Sequence, residues 1–181
     1  MTNSPNPAAA PVIETQRLRL RGHHLNDFEQ LHANWSDPMV YKFTSGRAST
    51  REESWNRLMR YFGYWPALGF GFWVLEEKHS GKMLGEIGMA EFHRDIAEVP
   101  DGFPEFGWVL GTAAHGKGYA SEALTAIMAW ADATLKAPST FCIIDPKNIA
   151  SQKLAQKFGF MQIAECLYHD MPSLVFRRDR K

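Results

Sequence analysis

The run from Gly111 to Leu124, GTAAHGKGYASEAL, gathers the residue types that handle an anion. Gly116 and Gly118 lie between a strand-like run, FGWVL, and a helix-like one, where a backbone free of Cβ atoms can approach a ligand closely. The unpaired N–H groups of a helix's first turn would face that ligand, backed by roughly half a positive charge from the helix dipole. Phosphate groups are frequent occupants of such sites. The spacing of Gly111, four residues, then Gly116-Lys117 also imitates a nucleotide-binding P-loop, and FCIID ending at Asp145 imitates the apolar strand and aspartate that accompany one. The imitation fails at one residue. The Ser or Thr hydroxyl that should follow the lysine and bind Mg²⁺ is replaced by Gly118, which leaves a P-loop nucleotide hydrolase as the weakest reading.

The elements that must position this loop can be read from hydrophobic period. RLRLRG, from Arg17 to Gly22, alternates apolar and basic residues as a half-exposed strand does. Leu25, Phe28, Leu31 and Trp35 recur at helical spacing, and Asp37-Pro38 ends that helix and can open a short second one. Thr50 stands three residues before Glu53, a capping signature ahead of a helix through Trp55, Leu58, Met59 and Phe62. FGFWVLEEK and MLGEIGMAEF, joined by HSGK, predict a β-hairpin. EFGWVL predicts a strand, followed by the glycine loop and a helix presenting Ala120, Ala123, Leu124, Ile127, Ala131 and Leu135 on one face. STFCIID is a short strand, and Asn148 caps a helix that ends at Gly159, a left-handed position with Phe160 placed for the usual apolar contact. Two strands, MQIAECLYH and SLVFRR, follow. The result is a mixed α/β chain of α+β character, its sheet mostly antiparallel with one β-loop-α-β unit.

Composition narrows the function. The chain has 181 residues, enough for one sizeable core, and a single domain is expected over residues 12–181 behind a disordered leader over 1–11. Twenty basic and twenty acidic side chains cancel, which argues against a nucleic-acid partner or an anionic membrane surface. No apolar run reaches the roughly 18 residues of a membrane span, the first residues lack a secretory pattern, and a cytoplasmic protein is expected. Cys142 and Cys166 have no metal-ligand spacing and are expected to be buried thiols; the scattered histidines form no ligand pattern, so no metal is expected.

PEFGWVLGTAAHGKGYASEAL resembles the central motif of the GNAT superfamily of acyl-CoA N-acyltransferases, a strand, a Gln/Arg-x-x-Gly-x-Gly/Ala loop and a helix. Gly118 and Ala120 match its last two positions, and His115 stands where the family usually has Gln or Arg. ETQRLRLRG resembles the first strand of the branch containing ribosomal-protein N-terminal (alanine/serine) acetyltransferases, and NIASQKLAQKFGF resembles its downstream Asn-x-x-Ser…Gly-Phe element. The resemblance implies a GNAT-type fold, a central twisted sheet of about seven strands flanked by helices. It implies acetyl-CoA as acyl donor and a primary amine as acceptor: a protein N-terminus, another peptide or a small molecule. A homodimer is common in such families.

By the same resemblance, the loop from His115 through Gly116, Lys117, Gly118, Tyr119 and Ala120 to Ser121 binds coenzyme A, with the N–H groups from Lys117 to Ser121 on its pyrophosphate. Val109 and Leu110 pair their backbone with the pantetheine arm, Asn148 helps bind that arm or the substrate, and Ser151 contacts coenzyme A. Lys117 or Lys157 could meet a phosphate. Glu105 is the candidate base, with Glu86 and Glu91 as weaker ones. Deprotonating an α-amine at pH 7 costs roughly 1.4 kcal/mol and a lysine roughly 4.6, so a carboxylate nearby helps either. Many relatives place a tyrosine four residues before the glycine of the Gly-Phe pair to protonate the thiolate; here that residue is Ala155, and Ser151 is the substitute. The missing tyrosine leaves a non-catalytic coenzyme A-binding regulatory module as the alternative function. Tyr64 or Trp65 is expected to shape the acceptor pocket.

Overall fold

In the computed structural model, residues 9–180 are described. Eight strands form one sheet: β1 (Ile13–Glu14), β2 (Leu18–Arg21), β3 (Phe72–Glu77), β4 (Met83–Ala90), β5 (Glu105–Leu110), β6 (Ser139–Ile144), β7 (Met161–Tyr168) and β8 (Met171–Asp179). Their order across the sheet is β1-β2-β3-β4-β5-β6-β8-β7. Every pairing is antiparallel except β5 with β6. The strand beyond the expected seven is β1, whose two residues are too few to leave a periodic signal. Of the expected leader, residues 1–8 lie outside the described residues, and Pro11 receives a hydrogen bond on its carbonyl from Trp73 Nε1 at 2.8 Å.

Five helices cover the faces: α1 (Phe28–Trp35), α2 (Pro38–Tyr41), α3 (Arg51–Leu68), α4 (Tyr119–Thr134) and α5 (Ile149–Lys157). Asp37 caps α2 through Met39 N, and Thr50 and Glu53 form the complete capping box of α3. None of these helices is long and apolar enough to cross a membrane. The buried stripe of α3 is Ser54, Leu58, Tyr61 and Trp65, whereas Trp55 and Phe62, expected on the apolar face, are exposed.

Strand alternation sorts the core. Trp73, Leu75, Ile87, Met89 and Phe106 point to one face, where they meet Leu124, Ile127 and Ala131 of α4 and Ala155 and Phe160 around α5. Phe72 and Val74 point to the other face, against Leu31 and Trp35 of α1 and Leu58 and Tyr61 of α3. Trp65 swings round the sheet's end to meet Trp73 and Trp130 edge-on, so it belongs to the core and not to the acceptor pocket. His23 is buried against Tyr61, and burial pushes its pKa down to about 3. Cys142 is buried as expected, but Cys166, on edge strand β7, is half-exposed.

β5 pairs with β4 along its whole length. With β6 it makes a single pair, Glu105 with Phe141, after which the two strands part. The carbonyl of Pro104 accepts from Phe141 N on the β6 side, and Gly111 N donates to Leu84 on the β4 side. Backbone alternation between these points turns the groups of Trp108 and Leu110 toward the gap.

Two glycines give opposite expectations. A Cβ on Gly88, in β4, would lie 2.3 Å from the Gly71 carbonyl oxygen and 2.4 Å from Phe72 Cα, neither of which can move aside. Gly63, exposed on α3, has nothing within 4 Å. Gly88→Ala should therefore destabilise the fold by about 1–3 kcal/mol or more. Gly63→Ala should stabilise it by about 0.5–1 kcal/mol. Denaturant midpoints of the two variants check both signs.

Candidate functional site

The parting of β5 and β6 opens a cleft of about 620 Å³ that includes Gly107, Trp108 and Val109 from β5, Ile143 and Ile144 from β6, and Asn148 and Ser151 from the start of α5. Further wall comes from Trp35 of α1, from α3, from Phe43, Thr44 and Ser45 after α2, from the loop between β4 and β5, and from the turn joining β7 to β8. The cleft thus runs between the two faces of the sheet. Odd-numbered β5 residues turn toward α3, and even-numbered ones toward α4 and α5, as the packing of Val109 and Phe106 shows.

On the α4 and α5 face, Trp108 Nε1 donates to Ser151 Oγ at 3.1 Å. Asn148 Oδ1 accepts from Ser151 N at 3.1 Å, the capping bond anticipated for this helix. Among the described residues the Ser151 hydroxyl proton has no acceptor, so it is left to donate into the cleft. Ala155 is fully buried in the core, and no tyrosine hydroxyl is present at that turn. The glycine loop begins where β5 ends but is not part of the cleft wall. Gly116 and Gly118 are both left-handed, with φ of 72° and 79°, and Gly118 is the N-cap residue of α4. No side chain caps that helix, so N–H groups of its first turn face outward, the arrangement that binds anions. Lys157 Nζ lies 2.5 Å from Ser121 Oγ and adds positive charge to this terminus.

His115 serves the loop in another way. Its Nε2 donates to the Leu110 carbonyl at 2.8 Å, which braces the turn onto the end of β5. Tyr119 points away from the loop, its hydroxyl donating to Glu77 and its ring lying under Arg17. Arg17, absent from the sequence-based set, also donates to the Lys117 carbonyl at 2.9 Å and pairs with Glu122 at 2.6 Å. The backbone expectation at β5 shifts by one residue. Val109 is paired with Glu86 and turns its N–H and C=O to β4, so Trp108 and the N–H of Leu110, not Val109, present backbone to the gap, the Leu110 carbonyl being taken by His115.

On the α3 face, Glu105 is buried and held on both oxygens by Arg94, at 2.8 and 2.9 Å. Burial pushes its carboxyl up, and the Arg94 guanidinium opposes that rise. Arg94 is itself packed over the rings of Phe92 and Tyr168. Glu86 is buried beneath the wall, one oxygen accepting from Trp35 Nε1 at 2.5 Å and from the Tyr61 hydroxyl at 2.9 Å; burial raises its pKa. Glu91 turns instead to His93, 3.5 Å away. Of the acidic candidates only Glu105 therefore lines the cleft. Arg57, Arg60, Tyr61 and Tyr64 also line it, and sequence reasoning singled out neither arginine nor Arg94. The first four follow an i, i+3, i+4, i+7 stripe that was readable on α3; Arg94 sits in an irregular loop and leaves no pattern.

The profile of the acetyltransferase (GNAT) domain matches residues 17–161. YkkB, an uncharacterized protein of Bacillus subtilis, is 29% identical over 175 residues, 94% of this chain and 96% of its own. A structure from Bordetella pertussis described as a GnaT-family acetyltransferase superposes with a TM-score of 0.81 at 28% identity, over 93% of this chain and 99% of that one. The ribosomal-protein-S5-alanine acetyltransferase from Vibrio fischeri shares the fold, with a TM-score of 0.73 at 17% identity over 95% and 98% of the two chains. A split sheet, an uncapped helix behind left-handed glycines and a domain profile spanning most of the sequence agree, and the chain belongs to the GNAT acetyltransferase family.

Proposed function

We propose that this protein moves the acetyl group of acetyl-CoA to a primary amine by direct transfer in the gap between β5 and β6. The observation that carries the reading is the unpaired edge of β5, bracketed by the bare N-terminus of α4 and the free hydroxyl of Ser151. When bound, acetyl-CoA supplies an activated thioester. The N–H groups from Lys117 to Ser121, with Lys157 beside them, would hold its pyrophosphate. The backbone of Trp108 and Leu110 would pair with the pantetheine arm as an added strand does, and Asn148 would fix the turn that presents Ser151.

The protons are assigned to two residues on opposite faces. Trp108 occupies a lone pair of Ser151 Oγ and thereby aims the O–H outward, where it can donate to the departing sulfur. Glu105, directly or through water, accepts the proton of the attacking amine. Burial makes it a stronger base and Arg94 fixes where it points, at the expense of some of that gain. The acceptor amine enters from the α3 face, where Tyr61 and Tyr64 form part of the wall.

Thiol release from acetyl-CoA across a panel of amines, peptides of varied first residue included, tests the reaction. Turnover on at least one amine is expected; coenzyme A binding without turnover on any would favour the regulatory-module alternative. With a confirmed substrate, Glu105→Gln should lower kcat by about 10²–10⁴-fold, the usual worth of general base catalysis, and Ser151→Ala should also lower it. Near-wild-type rates in both would overturn these assignments.

Gly118→Ala tests the loop separately. A Cβ at φ 79° is strained by roughly 1–2 kcal/mol. The loop should relax away from the helix terminus, and the KM for acetyl-CoA should rise about tenfold, in proportion to that strain. An unchanged KM would remove the loop from the donor site.

A further inference from the structure

Helix α3 presents Arg57, Arg60, Tyr61 and Tyr64 to the cleft as one stripe, so two of its cations face the side from which the acceptor enters. The charges lining the cleft do not balance there. Arg94 is spent on Glu105, oxygen by oxygen. Asp145 sits across the gap at the approach to α5 and accepts from Lys147 N at 2.7 Å. Glu86 lies behind Trp35 and Tyr61, outside the cleft wall; its Oε1 accepts from both, and its Oε2 has no hydrogen-bond partner among the described residues. It offsets part of the Arg57 charge from below, leaving Arg60 without a facing carboxylate in the wall. Arg47, in the neighbouring depression, is closed by Glu53 at 2.5 Å. Arg57 stacks on Trp35, its guanidinium carbon 3.4 Å from the ring centroid, and its Nε is buried with no hydrogen-bond partner among the described residues. Arg57 and Arg60 also line the neighbouring depression, of about 550 Å³, which gives the remainder of a ligand somewhere to lie.

A guanidinium pinned flat on an indole keeps its N–H edge directed and sacrifices little rotamer freedom on binding. Its preferred partner is a planar or tetrahedral oxyanion. A buried, orphaned N–H within the same group is the kind of vacancy that a ligand acceptor fills. We infer that the acceptor is an amine that also carries an oxyanion, a carboxylate or a phosphate, received by Arg57 and Arg60; this rests on the acetyl-transfer reading above. The phosphates of coenzyme A are not the object of this pair, because the α4 terminus assigned to them is not part of the cleft wall.

Two pairs of probes contrast an anion with a neutral group, each assayed at a pH that gives both members the same fraction of free amine: L-phenylalanine with L-phenylalaninamide, and O-phosphoethanolamine with ethanolamine. Calorimetric affinity for the full chain saturated with coenzyme A, and kcat/KM with acetyl-CoA, are measured for each. The anionic member of at least one pair should bind about 10–100-fold more tightly, as charge-assisted hydrogen bonds predict, and the pair that does so distinguishes carboxylate from phosphate. Arg57→Gln should collapse that ratio, and so should Arg60→Glu, whose exposed position protects the fold. The KM for acetyl-CoA should stay as in the wild type. No advantage of the anion in either pair, a ratio untouched by both substitutions, or a raised KM for acetyl-CoA would each overturn the inference. Anion preference in binding without turnover on any amine would overturn the acetyl-transfer reading alone; turnover without anion preference would overturn only the oxyanion site.

Discussion

Backbone hydrogen bonding governs this molecule, because the cleft exists only where a sheet stops satisfying itself. β5 is fully paired to β4, while β6 is fully paired to β8, so each half of the sheet is continuous up to the line where they meet. One parallel pair, Glu105 with Phe141, fastens the halves. Beyond it the strands diverge, and backbone groups that a regular sheet would consume are left facing a gap. Packing keeps the halves from closing. Phe106 meets Phe160 edge-on across the split, and a continuous apolar layer beneath α4 draws on strands from both sides. The core therefore holds the two halves at a fixed spacing while leaving the edge of β5 open.

Charge is arranged around the same line. Glu105 sits at the last paired residue, where the fold is tightest, and is locked by an arginine that is itself clasped between two rings. Taking a carboxylate out of water is expensive unless it is paired and hydrogen-bonded. The bidentate contact meets that need without consuming all of the carboxylate's lone pairs. Ser151, by contrast, owes its orientation to neutral groups, the Trp108 indole and the Asn148 cap. Glu105 and Ser151 thus differ in electrostatic setting, the first held by an ion pair and the second by neutral groups.

Much of this was legible in the amino-acid order, and the limits have physical causes. Thr50 with Glu53, Asp37 with Pro38, and Gly159 with Phe160 announce helix boundaries because capping is a local interaction between near neighbours. The glycine loop was readable for the same reason: φ values of 72° and 79° demand glycine wherever they occur. The stripe of α3 was misplaced by part of a turn because Trp55 and Phe62 are aromatic yet exposed, so residue type misled the period. The side of β5 that faces the gap could not be derived from its own residues. It depends on register with β4, a long-range property, and that is why Val109 was expected to turn to the gap the backbone groups that Trp108 turns there. The Arg94–Glu105 pair was equally hidden, since it joins an irregular loop to a strand end and neither partner marks the other in sequence.

The divergence of β5 and β6 has a kinetic corollary. A slot lined from both faces of a sheet, by α5 on one and α3 on the other, offers each reactant of the proposed transfer a side of its own. Two reactants meeting in such a slot need not queue through a shared doorway. Under the proposed transfer, each would arrive at, or depart from, its own side while the other is seated. Rate laws of the sequential kind, built on a ternary complex with no obligatory order imposed by access, are what this topology favours. Any ordering would then have to come from one occupant reshaping the walls for the other, and not from blocked passage.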